Sequence, residues 1–174
     1  MNILIVNGFA GSGKDTFMEH IKSYGSKYNH RTENVSIIDY IKRIALTIGW
    51  NGEKDEAGRK LLSDLMTALT LYDNIPLKKI YEIIDGCVNG KYNTLCICVR
   101  SPKDIDAIID YATIYDIQPI TIFIKNDNIE QITSNEADAN VLNYLYDVTI
   151  ENNSTIDDFY NKINEFYDSH LIKG

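Results

Sequence analysis

The stretch Gly8-Phe9-Ala10-Gly11-Ser12-Gly13-Lys14-Asp15-Thr16 constrains this chain more than any other. It follows a short apolar, β-branched run, Asn2 to Asn7, and precedes Phe17, Ile21, Tyr24 and Tyr28 at helical spacing. The flanks predict a strand buried on both faces, a turn, and a helix that starts near Lys14 and frays over Gly25 to Asn29. Glycines at 8, 11 and 13 let the backbone wrap so that successive N–H groups point inward. The helix start adds the positive end of its dipole, which makes the loop a cradle for phosphate oxygens. Lys14 supplies a mobile positive charge for the outer phosphates. The strict form of this pattern has Ser or Thr directly after the lysine, as a Mg²⁺ ligand. Here Asp15 stands in that place and Thr16 follows one step later.

Downstream, strand-like and helical periods alternate. Val35 to Ile38, Thr94 to Val99, Ile120 to Ile124 and Val148 to Ile150 read as strands. Helical faces are carried by Ile41, Ile44, Ala45 and Ile48, then by Leu61, Leu62, Leu65, Met66 and Leu69. A further face, Leu77, Ile80, Tyr81, Ile84 and Val88, opens at Pro76 and closes at Asn89-Gly90. Ser101-Pro102-Lys103-Asp104 has the cap, first-turn proline and acid of a helix start, ahead of Ile105, Ile108, Ile109 and Ala112. A closing helix is expected from Thr155, with Ile156, Phe159, Tyr160, Ile163, Phe166 and Tyr167 on its inner face. Strands alternating with helices predict parallel β-α-β units in a three-layer α/β/α domain with a five-stranded parallel sheet, its ligands gathered at the carboxyl ends of the strands.

At 174 residues the chain is expected to be one domain, 1–174. A formal charge of −8 sets the surface as a whole against nucleic-acid polymers and anionic membranes, so any bound phosphate needs a local positive site. Three cysteines without framework spacing, and no charged leader before the first strand, point to a reducing cytoplasm. Cys96 and Cys98 share one face of a strand and read as packing residues, because no further Cys or suitably spaced His completes a metal site. Trp50 with Tyr72 is a candidate apolar wall against a base, or simply core.

Gly-x-x-Gly-Ser-Gly-Lys-Asp-Thr resembles the cradle of deoxynucleoside monophosphate kinases of phage type. It is less closely similar to those of phosphomevalonate kinase of animal type and dephospho-coenzyme A kinase. The resemblance continues in order: Ile41-Lys42-Arg43-Ile44-Ala45 looks like a lysine-bearing segment after strand two, and Gly52-Glu53-Lys54-Asp55 with Arg59 looks like the acceptor-side helices. Cys98-Val99-Arg100 with Ile105-Asp106 is similar to an Asp-x-Arg at the end of strand three and its helix, with Cys98 in the place of the acid. Asn135-Glu136-Ala137 resembles a Ser-Glu segment, and Asp147-Val148-Thr149-Ile150-Glu151-Asn152 an Asp-x-x-Ile-x-Asn ending.

The resemblance implies a P-loop NTPase fold of the nucleoside-monophosphate-kinase kind, with an acceptor-side helical insertion at about 39–90 and a short lid at about 126–146. It implies ATP and Mg²⁺ as cofactors and a small phosphorylated molecule as acceptor, either a (deoxy)nucleoside monophosphate or phosphomevalonate or dephospho-coenzyme A. It leaves room for a homodimer, and for a nucleotide-binding regulatory module without efficient turnover. The expected nucleotide-binding residues are Gly8, Ala10, Gly11, Ser12, Gly13, Lys14, Asp15, Thr16 and Asn152, with Thr16 and Asp15 nearest the metal. Lys42, Arg43, Arg59 and Arg100 are the expected acceptor contacts. Lys14, Arg100, Asp39 and Lys125 are the catalytic candidates. Asp39 can equally be a helix cap, and Lys125 stands in for lid arginines because no Lys or Arg lies between Asn126 and Asn161.

Overall fold

Residues 1–129 and 141–172 are described by the computed structural model. Its strands are β1 (Asn2–Asn7), β2 (Thr32–Ser36), β3 (Thr94–Cys98), β4 (Ile120–Lys125) and β5 (Val148–Glu151). All pair in parallel, in the order β2-β3-β1-β4-β5. Helices are α1 (Lys14–Ser26), α2 (Asp39–Thr47), α3 (Glu56–Asp73), α4 (Ile75–Asn89), α5 (Pro102–Ala112) and α6 (Ile156–His170).

The pleat of β1 sets the layers. Leu4 and Val6 point to one face with Phe17 and Ile21 of α1 and Phe159, Ile163 and Tyr167 of α6. Ile3 and Ile5 point to the other, with Ile80 and Ile84 of α4 and Ile105 and Ile108 of α5. Both faces of the central strand are therefore dry, which is why its sequence is a continuous apolar run rather than an alternating one. Helices α2 and α3 form an outlying pair held through Ile41, Ala45 and Leu62. They lie, with α4, in the connection between β2 and β3. Among the described residues no helix is long and apolar enough to cross a membrane.

Helix starts follow their sequence signals. Ser101 caps α5 by accepting the Asp104 N–H, Thr155 caps α6 through the Asp158 N–H, and Asp55 caps α3 through the Gly58 N–H. Other expectations shift. Strand β2 starts at Thr32 and ends at Ser36, because polar Thr32, Glu33 and Asn34 are drawn into the ladder by pairing with Thr94, Leu95 and Cys96 of β3. Pairing with a buried neighbour outweighs weak strand propensity at a sheet edge. Ile48 and Ile156, expected on core faces, are 62% and 50% exposed, because each lies at a helix end where the packed face has run out.

Phe17 is fully buried between the sheet and α6, whereas Ser101 contributes one cap bond. Phe17→Ala should therefore cost about 3–5 kcal/mol in urea unfolding and Ser101→Ala about 1 kcal/mol.

Candidate functional site

Strand β1 lies between β3 and β4, and the connections that leave β1 and β3 diverge. The chain leaves β1 towards α1 on one face and leaves β3 towards α5 on the opposite face. A crevice therefore opens at the carboxyl ends of β1 and β3, which is where open parallel sheets hold ligands.

The loop Gly8–Gly13 fills one side of this crevice. Gly13 is the N-cap of α1 at φ 105°, and a Cβ there would sit 2.6 Å from Asn152 Nδ2. At Gly8, φ 149°, a Cβ would lie 2.6 Å from both the Ile124 carbonyl oxygen and Ser12 Oγ. A side chain at either position would force the loop off the ends of β4 and β5. Those strand ends also clamp it. Asn152 donates its amide Nδ2 to the Ser12 carbonyl at 2.9 Å and its backbone N–H to the Lys125 carbonyl at 2.7 Å. Phe9 anchors the loop from beneath, buried and edge-on to Phe123 with ring centres 6.4 Å apart.

Lys14 is only 8% exposed and turns back into the curl, where Nζ donates to the Gly8 and Phe9 carbonyls at 2.7 Å each. Its ammonium thus sits beside the first turn of α1, adding a whole charge to the helix's partial one. Ser12 Oγ is buried and has no hydrogen-bond partner among the described residues. A buried hydroxyl without a partner is costly, so this atom marks a place where a ligand oxygen would be welcome. Asp15 is exposed and Thr16 half-buried, both in the first turn. Ala10 lies exposed at the crest of the loop.

Across the crevice, Arg100 follows β3 and is half-buried. Its carbonyl accepts a hydrogen bond from Asn7 Nδ2 at 3.1 Å. Cys98 lies on the α1 side of β3, and burial raises its thiol pKa while Lys14 and Arg100 pull the other way. A buried neutral thiol is what occupies the place of an acid in the resemblance. Asp39 does not act as a helix cap. The N-cap of α2 is Ile38, while the Asp39 carboxylate takes the Ser36 N–H and Lys42 Nζ, each at 2.8 Å. Asp39 and Lys42 therefore brace the turn out of β2 beside the crevice.

The remaining cations are less convergent. Arg43 is exposed on α2 with its guanidinium 5.7 Å from the centre of the Tyr40 ring, and Arg59 is exposed on α3. Lys125, at the end of β4, is held by Asp127 at 3.1 Å and Glu151 at 3.7 Å. Its hydrogen bond to Asp127 raises the lysine pKa and lowers that of the acid. Trp50 packs with α2 and α3 and donates its indole N–H to the Glu53 carbonyl, while Tyr72 is 81% exposed. The segment Asn135-Glu136-Ala137 lies outside the described residues. Asn7, absent from the expected site, is fully buried and bonded to both sides of the crevice. Its signal in the sequence was a lone polar residue ending an apolar strand.

No protein-family model and no curated protein matches the sequence. Solved structures do. A candidate kinase from Chloroflexus aurantiacus superposes with a TM-score of 0.56 at 16% identity, covering 99% of this chain and 97% of its own. A protein described as APE1195 gives 0.56 at 13% identity, over 97% and 93%. The chain shares the three-layer α/β/α fold of these two structures. APS kinase of Mycobacterium tuberculosis in complex with AMPPNP and APS superposes with a TM-score of 0.49 at 10% identity, over 96% and 97%.

Charge-assisted hydrogen bonds are worth about 1.5–3 kcal/mol each. If the cradle holds the outer phosphates, Lys14→Ala should weaken ATP binding about ten- to a hundredfold by calorimetry. Equal affinity in the variant would remove the cradle from the site.

Proposed function

We propose that this chain is a kinase that binds ATP in the loop Gly8–Thr16 and transfers its γ-phosphoryl group to a small phosphorylated acceptor, a (deoxy)nucleoside monophosphate. The observation that carries this reading is the buried Lys14 ammonium curled inside a glycine loop at the end of the central strand, with a buried Ser12 hydroxyl in the same loop that has no partner among the described residues. Phosphoryl transfer asks the protein mainly for positioning and for neutralisation of charge, and these groups supply both. The neighbour from Chloroflexus aurantiacus that shares the fold is itself a candidate kinase.

Mg²⁺ fits the oxygen donors at hand. Mg²⁺ takes oxygen ligands and keeps several waters, so it asks for only one or two protein ligands. Thr16 and Asp15, in the first turn of α1, are the residues that would hold it, directly or through water. When bound, such an ion would supply positive charge that offsets the phosphate oxygens. Arg100 is the acceptor-phosphate ligand in this reading, with Lys42 and the more outlying Arg59 and Arg43 as helpers. Helices α2 to α4 form the acceptor-side insertion of a single kinase domain, and the lid spans about 126–146. Three free, buried cysteines suit a reducing cytoplasm.

A second reading, a nucleotide-binding regulatory module, is favoured by two particular features. Cys98 is a buried neutral thiol where the resemblance has an acid, and Lys125 is held by two carboxylates. Mg²⁺-dependent ATP consumption separates the two readings. The panel is dAMP, dCMP, dGMP, dTMP, phosphomevalonate and dephospho-coenzyme A. The kinase reading expects ADP to form in step with the diphosphate of one deoxynucleoside monophosphate. Tight ATP binding with no acceptor-dependent turnover supports the module instead. For the active acceptor, Arg100→Ala should lower kcat/KM about ten- to a hundredfold and leave ATP affinity within about threefold, and Arg100→Lys should restore little, because a point charge lacks the guanidinium fork.

A further inference from the structure

Asn7 is the last residue of β1 and is fully buried. Its side-chain oxygen accepts the Gly8 N–H at 2.7 Å. Its amide nitrogen donates to the Arg100 carbonyl at 3.1 Å and to the Tyr146 hydroxyl at 2.8 Å. The partners fix which end of the amide is which, since Gly8 N can only donate and the Arg100 carbonyl can only accept. Tyr146 in turn donates its hydroxyl hydrogen to the Val141 carbonyl at 2.9 Å and stacks on Phe123 with centres 5.2 Å apart.

Three segments therefore meet on one buried amide: the first residue of the cradle, the backbone of Arg100, and the stretch 141–146 that leads into β5. Backbone pairing between β1 and β3 runs out at this point, its last contact being the Val99 N–H to the Val6 carbonyl at 3.3 Å. Beyond it the loop turns away, and the Asn7 side chain continues the connection that the backbone no longer makes. Every hydrogen of the Asn7 amide is used. A buried and fully satisfied amide resists separate movement of its partners, because each broken bond leaves a buried polar group exposed to no solvent.

We propose that Asn7 is a positioning residue that couples the two halves of the site, so that a displacement of the cradle by bound nucleotide is carried to the Arg100 backbone and raises affinity for the acceptor. This rests on the kinase reading above. Coupling of this kind is reciprocal and typically amounts to five- to a hundredfold.

The test is calorimetric. The affinity of whichever of dAMP, dCMP, dGMP and dTMP the wild type binds most tightly is measured with and without saturating AMPPNP and Mg²⁺. The wild type should bind the monophosphate at least about fivefold more tightly with AMPPNP present. In Asn7→Ala that ratio should fall to about one, while each ligand alone binds within about threefold of wild type. Tyr146→Phe keeps the ring stack and removes one partner of the amide, so it should lower the ratio part-way, and it decides the matter if Asn7→Ala does not fold. A wild-type ratio preserved in these variants overturns the role of Asn7 and leaves the kinase reading standing. Single-ligand affinities that fall together at constant ratio also overturn it, since that is what a merely structural residue would give. A wild type that binds AMPPNP but none of the four monophosphates contradicts the acceptor reading and takes the coupling with it.

Discussion

A loop that is to hold an anion has to converge several N–H groups on one point within a few residues, and in this chain the available room dictates how the loop turns. At Gly8 the carbonyl of Ile124 comes so close that no Cβ fits, and at Gly13 the Asn152 side chain does the same. The loop is thus pressed between β4, β5 and the start of α1, and its curvature is held by neighbours rather than by its own preferences. Burial of Lys14 follows from that curvature. An ammonium in so enclosed a place is tolerable because two loop carbonyls face it. The layers of the sheet, the divergence of α1 and α5, and the clamp from Asn152 all serve to keep this turn in place.

Electrostatics sharpen the same point. The chain carries a formal charge of −8, so its general field opposes anions, and any phosphate site must be local. Among the described residues, cations near the ends of β1, β2 and β3 come from separate elements: Lys14 from α1, Arg100 from the end of β3, Lys42 from α2. Lys42 is tied to Asp39 and Lys125 to Asp127 and Glu151, so neither presents its full charge. Lys14 follows β1 and Arg100 follows β3, so the two lie on either side of the junction between these strands. Asn7 lies between them.

Much of this was legible in the sequence, for definite reasons. The tight turn between β1 and α1 was readable because glycine spacing and the strand–helix flanks each carry a separate physical requirement, and both agree. Ser101 and Thr155 announced their helices because capping is a local interaction. The start of β2 at Thr32 was not legible, since only its neighbour β3 makes that polar segment a strand. Asp39 was ambiguous between cap and catalyst because its true partners, the Ser36 N–H and Lys42, depend on how the turn closes. Asn7 was overlooked for a similar reason. Its partners at Arg100 and Tyr146 are remote in sequence, and no local rule ties them together.

The central claim is that this loop is a phosphate cradle, and a crystal structure of the protein grown with ADP and Mg²⁺ tests it most directly. The account predicts the β-phosphate enclosed by the backbone N–H groups of Gly11 to Lys14, with Lys14 Nζ turned onto a phosphate oxygen and Ser12 Oγ or Thr16 Oγ1 within hydrogen-bond or ligand distance. Nucleotide bound elsewhere, with Lys14 still donating to the Gly8 and Phe9 carbonyls, would contradict it.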